Sequence, residues 1–223
     1  MSGKAYFHSV YDVLQDMKEE EILYGRFLWA TKFSGRKRVL DVGCGRGWFI
    51  KANPSFAVGL DVNPFIAKAL GEEGLRVAVG DVYRLPFCDG YFDGIFANWI
   101  LEHLKEPERA FKEFWRVLEP NGYLFVLVPH PRTLTTTFYS DPTHVRPYSP
   151  EEIATLAETT GFKVFRASYD ICKYSRAWRG FISVRTIHKY LGEKMYLRLM
   201  KAVSRMPMLN NNMTLLEARK ETI

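Results

Sequence analysis

The stretch VLDVGCGRG at residues 39–47 decides the fold. Its first four residues are a short apolar run interrupted by one acid, and the five that follow hold three glycines in the spacing GxGxG. A strand that ends in such a turn lets the backbone bend sharply and approach a ligand closely, which glycine does without steric cost. A dinucleotide fingerprint, GxGxxG, would place its third glycine at position 48, where this chain has Trp48. That side chain obstructs a pyrophosphate drawn onto the helix start, so the turn suits a nucleoside without phosphates.

Working outward, short apolar runs alternate with helical patterns, as a parallel sheet requires. Strands are predicted over 39–42, 56–60, 75–79, 92–97, 123–128, 162–169 and 213–218. Asn63-Pro64 supplies an N-cap and a first-turn proline, and Ser149-Pro150-Glu151-Glu152 reads as a capping box. A helix over 107–118 ends at the turn Glu119-Pro120-Asn121-Gly122. An amphipathic helix is expected over 9–32, and residues 1–35 are read as an N-terminal helical cap on a single domain spanning 1–223. The fold class is α/β: a doubly wound, seven-stranded, mostly parallel sheet with a helical basic insertion at 171–209 before the last strand.

Composition narrows the function classes. A chain of 223 residues with 47% hydrophobic and 25% charged residues is an ordinary globular domain and not a disordered or fibrous one. No apolar run is long enough to span a bilayer, no secretory signal is visible, and a cytoplasmic location is expected. Cys44, Cys88 and Cys172 lack the paired spacing of a zinc or redox motif, and no metal site is read from the sequence. The formal charge of +6 is concentrated: residues 171–209 carry nine Lys or Arg against Glu193, and the rest of the chain is slightly acidic. In that segment Val184, Ile187, Leu191, Met195, Leu199 and Val203 recur at helical spacing with basic residues between them. Such a stripe packs on the domain with a solvated basic face, or forms a lid or surface that meets an anionic, lipid-like or RNA partner through residues 173–205.

Four chemical groups stand at predicted strand ends, where ligands bind in open α/β sheets. They are the glycine turn with Asp41; Asp61, 18 residues after Gly43, positioned to accept from both ribose hydroxyls; Asp81, beside Val82, suited to an adenine amine and ring; and Asn98.

These residues lie in VLDVGCGRG (39–47), GLDVNP (59–64), GDVYRLPF (80–87), YFDGIFANWILEHL (91–104) and RVLEPNGYLFVLVP (116–129). In that order and spacing the chain resembles the class I S-adenosylmethionine-dependent methyltransferases, in particular the group that contains quinone-biosynthesis-type small-molecule enzymes. The resemblance implies S-adenosylmethionine as cofactor, with Asp41, Gly43, Cys44 and Gly45 bordering its methionine moiety. It further implies Asp61 and Val62 at the ribose, Asp81 and Val82 at the adenine, and Asn98 near the sulfonium.

Methyl transfer is an in-line displacement at an activated carbon, so alignment of the acceptor is the main task, and a base is needed only where the acceptor must lose a proton. Enzymes of this class that methylate amino groups of nucleobases or glutamine commonly carry Asn-Pro-Pro-aromatic after strand four. Here the sequence is Asn98-Trp99-Ile100. A small or lipid-like acceptor methylated at oxygen or carbon is therefore expected. An RNA methyltransferase, a nicotinamide-dependent oxidoreductase and a non-catalytic cofactor-binding partner subunit are the alternatives. The proline-containing loop at 129–148 holds His130 and the cluster Asp141-Pro142-Thr143-His144, with His144 a candidate base oriented by Asp141. Local pinning of the loop is the other role these two residues could have. His103 is expected to pack or cap.

Overall fold

The computed structural model describes residues 19–131, 138–139, 141–170, 192, 194–195, 198 and 213–221. Seven strands form one sheet: β1 (Val39–Val42), β2 (Ala57–Asp61), β3 (Val77–Val79), β4 (Phe92–Asn98), β5 (Leu118–Pro129), β6 (Phe162–Asp170) and β7 (Met213–Lys220). Their order across the sheet is β3-β2-β1-β4-β5-β7-β6, and β7 runs antiparallel to both neighbours. The helices are α1 (Glu19–Thr31), α2 (Trp48–Ala52), α3 (Pro64–Glu72), α4 (Pro107–Val117) and α5 (Pro150–Thr159).

The doubly wound sheet expected from the sequence is therefore present. The central strands read as continuous apolar runs because both faces are covered: all four residues of β1 are buried, and so are the eight residues of β5 from Gly122 onward. One core layer packs Phe111, Phe114, Ile153 and Leu156 from α4 and α5 against Ile95, Leu124 and Leu216. The other brings Leu23, Phe27 and Trp29 of α1 together with Phe49, Phe96 and Phe125. In this second layer Phe49 and Phe96 rings lie 4.5 Å apart, and Trp48 contacts Tyr24 and Phe96 at 5.7 Å each. Trp48 thus joins α1 to the helix that follows the glycine turn. The close approach of α1 to α2 needs Gly25, where a Cβ would sit 2.7 Å from that of Ala52.

The local signals act as their chemistry requires. Asn63 caps α3 by accepting from the Phe65 N–H, and the Ser149–Glu152 capping box is formed reciprocally at α5. One local expectation changes: the turn at 119–122 lies within β5, as an irregularity where the register against β4 shifts between Phe92 and Gly94. Asn121 takes a left-handed backbone there, with φ 63°, so the turn residues bend the strand without ending it. The expected helix over 9–32 is seen as Glu19–Thr31, and its earlier part lies outside the described residues. The basic insertion at 171–209 also lies outside them except at positions 192, 194–195 and 198.

Candidate functional site

The site begins at the carboxyl end of β1. Gly43 has φ 69° and Gly45 φ 48°, the left-handed conformations the GxGxG spacing calls for. A Cβ on Gly43 would stand 3.0 Å from Cδ1 of Ile100, so the segment after β4 lies directly over the turn. Cys44 points inward: its thiol is buried against Gly59, where a Cβ would come within 2.8 Å of Sγ, and burial pushes its pKa up. Its backbone N–H donates to the Leu60 carbonyl at 2.9 Å.

Asp61 ties the turn to β2. One carboxylate oxygen accepts from the Gly45 N–H at 3.0 Å and the other from the Asn63 N–H at 2.9 Å. Burial raises its pKa, opposed by backbone donation from Asn63, Gly45 and Val62. Asp41 is almost fully buried, and desolvation followed by repulsion from Asp61 holds its carboxyl well above the usual range. Val62 is 73% exposed at the strand tip, an apolar surface beside the carboxylate.

Asp81 opens the loop after β3 as an Asx turn, accepting from the Tyr83 N–H at 2.9 Å. Val82 is packed into the core with Leu60 and Leu85. The loop is clamped from below by Arg116, which donates to the carbonyls of Leu85 and Phe87 and to Asp89 and Glu113. Glu113 in turn accepts from the Leu85 N–H at 2.7 Å. Asn98 ends β4, and Trp99 follows at φ 56°, 40% exposed, its N–H donating to Leu127.

Beyond Trp99 a single 3₁₀ turn, Leu101–His103, meets the 141–148 segment. The Val145 N–H donates to the Glu102 carbonyl at 2.7 Å. Asp141 accepts from both the N–H and the hydroxyl of Thr143, at 2.9 and 2.6 Å. Desolvation works against its ionised form, but these bonds outweigh it and its pKa falls. His144 lies with Nε2 3.8 Å from Asp141, yet the contact that holds its ring is Nδ1 to the Phe138 carbonyl at 2.7 Å. His103, expected to pack or cap, instead has its ring centroid 4.7 Å from that of His144 and Nδ1 2.8 Å from Thr143 Oγ1. His130 is buried edge-on against Tyr169.

The sequence reading missed Glu102. It is fully buried, neither carboxylate oxygen has a hydrogen-bond partner, and burial pushes its pKa up to about 8. The available signal was an acid inside the apolar run ILEHL, which periodicity alone does not distinguish from a solvated one.

Comparison with known proteins bears on the domain that carries these residues. Residues 40–126 match a methyltransferase-domain family model. The chain is 33% identical over 94 residues to a tRNA (carboxymethyluridine(34)-5-O)-methyltransferase of Arabidopsis thaliana, covering 40% of this chain and 23% of that protein. It is 34% identical over 139 residues to the ubiquinone/menaquinone biosynthesis C-methyltransferase of Chromobacterium violaceum, covering 54% and 57% of the two chains. The aligned stretch thus spans less than two thirds of either relative. A crystal structure of an S-adenosylmethionine-dependent methyltransferase from Archaeoglobus fulgidus superposes with a TM-score of 0.66 over 96% of this chain and 100% of that one, at 23% identity, and shows a shared fold. Residues 40–126, which hold the glycine turn and the strand-end acids, thus match a methyltransferase domain, set in a fold shared with an S-adenosylmethionine-dependent methyltransferase.

Proposed function

We propose that the protein transfers the methyl group of S-adenosylmethionine to an oxygen or carbon of a small or lipid-like acceptor. The observation that carries this reading is the carboxylate of Asp61, fixed by the Gly45 and Asn63 N–H groups at the open end of β2 beside exposed Val62. A carboxylate so held accepts from ribose hydroxyls without reorganising. Asp41, Gly43, Cys44 and Gly45 line the methionine side, Asp81 and Val82 the adenine side, and Asn98 the methyl-bearing sulfur. The acceptor enters over Trp99 and the His103–His144 pair. His144 spends Nδ1 on Phe138, so it offers the lone pair of Nε2 to the acceptor, with Asp141 nearby. Chemistry is a displacement: the acceptor's electron pair forms the bond to the methyl carbon while the carbon–sulfur pair returns to sulfur, leaving S-adenosylhomocysteine.

An RNA acceptor is the second reading, favoured by the nine basic residues in 171–209 and by the similarity to the plant tRNA enzyme. Labelled S-adenosylmethionine incubated with lipid, small-molecule and RNA fractions of a cell extract separates the two. Label in an organic-soluble product supports the first, and label in RNA the second. S-adenosylhomocysteine binding without label in any fraction points to a silent partner subunit.

A further inference from the structure

Among the described residues, one atom from each of Glu102, His103 and His144 lies within 4.8 Å of the other two. Each member is prepared for the same task. The Phe138 carbonyl can only accept, so His144 carries its proton on Nδ1 and keeps a lone pair on Nε2. Thr143 gives its hydroxyl proton to Asp141 and must therefore accept from His103 Nδ1, which leaves the Nε2 lone pair of His103 free as well. Outer partners that fix Nδ1 as donor are the usual support of imidazole ligands. Glu102 contributes a fully buried carboxylate whose two oxygens have no partner, an arrangement that costs several kcal/mol unless the group is neutralised or meets a cation. Both histidines are partly exposed to solvent, His103 more than His144.

We propose that Glu102, His103 and His144 form a binding site for a divalent first-row transition-metal ion of the zinc class. Two imidazoles and one carboxylate match the donor set of open catalytic sites, in which remaining positions take water or substrate. Ligand atoms around a four-coordinate zinc stand about 3.4 Å apart, given metal–ligand distances of about 2.1 Å, so the ion would draw the three side chains together by up to about 1.4 Å. Ion binding stands on this geometry alone. Its use in catalysis rests on the methyltransferase reading: Ile100, two residues before Glu102, lies over the glycine turn, which sets the ion on the acceptor side. An acceptor hydroxyl bound there loses its proton to solvent water, and its oxygen takes the methyl group as the carbon–sulfur bond breaks. In that case the Nε2 lone pair of His144 is a metal ligand and not the base.

The test uses tag-free full-length protein stripped with chelator and titrated with Zn²⁺ by calorimetry and with Co²⁺ by visible absorption, each with and without S-adenosylhomocysteine. One equivalent of ion should bind, with a cobalt d–d band that acetohydroxamate, a bidentate oxygen ligand, shifts. His103→Ala, His144→Ala and Glu102→Gln should each weaken the ion at least about tenfold while leaving S-adenosylhomocysteine affinity unchanged. Absence of stoichiometric uptake, or uptake indifferent to all three substitutions, overturns the site. An unshifted band overturns its role toward the acceptor. Failure to bind S-adenosylhomocysteine while the ion binds removes the methyltransferase reading and leaves the metal site standing.

Discussion

Replacing Asp61 by Asn tests the pocket at its most determined point. In the native chain one oxygen holds Gly45 N–H and the other Asn63 N–H, at 3.0 and 2.9 Å. A carboxamide has one oxygen, so whichever way it turns, its NH₂ faces one of two backbone donors. An unsatisfied, partly buried N–H costs about 1–2 kcal/mol, which in a domain of this size lowers Tm by about 2–8 °C. On the ligand side the change removes the charge and one of the acceptors offered to the ribose. Hydrogen bonds to a charged group are worth about 1.5–3 kcal/mol each, and loss of one with weakening of a second gives about 2–4 kcal/mol, or roughly 30- to 1000-fold in Kd. Titration calorimetry with S-adenosylhomocysteine measures the affinity, and a thermal melt of the unliganded protein measures the first effect. A folded variant that binds S-adenosylhomocysteine within threefold of the native protein refutes the assignment of this carboxylate to the ribose.

The buried Asp41 gives a pH dependence with a definite sign. Desolvation and then Asp61 hold its carboxyl well above the usual range, so the folded cofactor-free protein keeps a proton the unfolded chain loses near pH 4. Its contribution is fully present below that pH and is lost as pH rises through the folded value; Asp41→Asn should remove this component, making the urea midpoint at pH 7 higher than native while S-adenosylhomocysteine binding falls. Gly43→Ala should cost about 1–3 kcal/mol in folding, because it places a Cβ at φ 69° and 3.0 Å from Ile100, and should weaken the cofactor at least about tenfold, read by urea unfolding and calorimetry. Lys32 pairs with the nearly buried Glu217 across α1 and β7, with Arg166 only 3.7 Å away as partial replacement. Lys32→Ala should therefore destabilise by about 1–3 kcal/mol without changing cofactor affinity, and an equal midpoint would show the pair to be unimportant. Arg116→Ala frees the 81–90 loop from three anchors and should raise hydrogen exchange there, with a smaller loss of affinity than Asp61→Asn.

The strand plan was readable because each central strand is an apolar run buried on both faces and closed by a glycine or a capping residue. Asp61 and the glycine turn were equally readable, since their contacts are local to strand ends whose order the fold class dictates. What escaped the sequence depends on segments meeting at a distance. Thr143 stands 40 positions from His103, and its hydroxyl became the partner of that ring only when the turn at 101–103 met the 141–148 segment. Glu102 looked like any acid between apolar neighbours, and its lack of partners is a property of the assembled core. Likewise Glu119-Pro120-Asn121-Gly122 has the residues of a turn, and pairing with β4 keeps it in the strand.

The placement of β7 between β5 and β6 has a consequence for biosynthesis. Asp170 and Met213 face one another in register, so the whole intervening excursion leaves and re-enters the sheet at one point and can vary in length at little entropic cost. The same wiring means that β5, buried from Gly122 to Pro129, keeps one edge bare until residues 213–220 clear the ribosome. Nascent chains stalled before that point would expose a long apolar ribbon ready to pair with a neighbour, which makes this the stage at which a chaperone matters most.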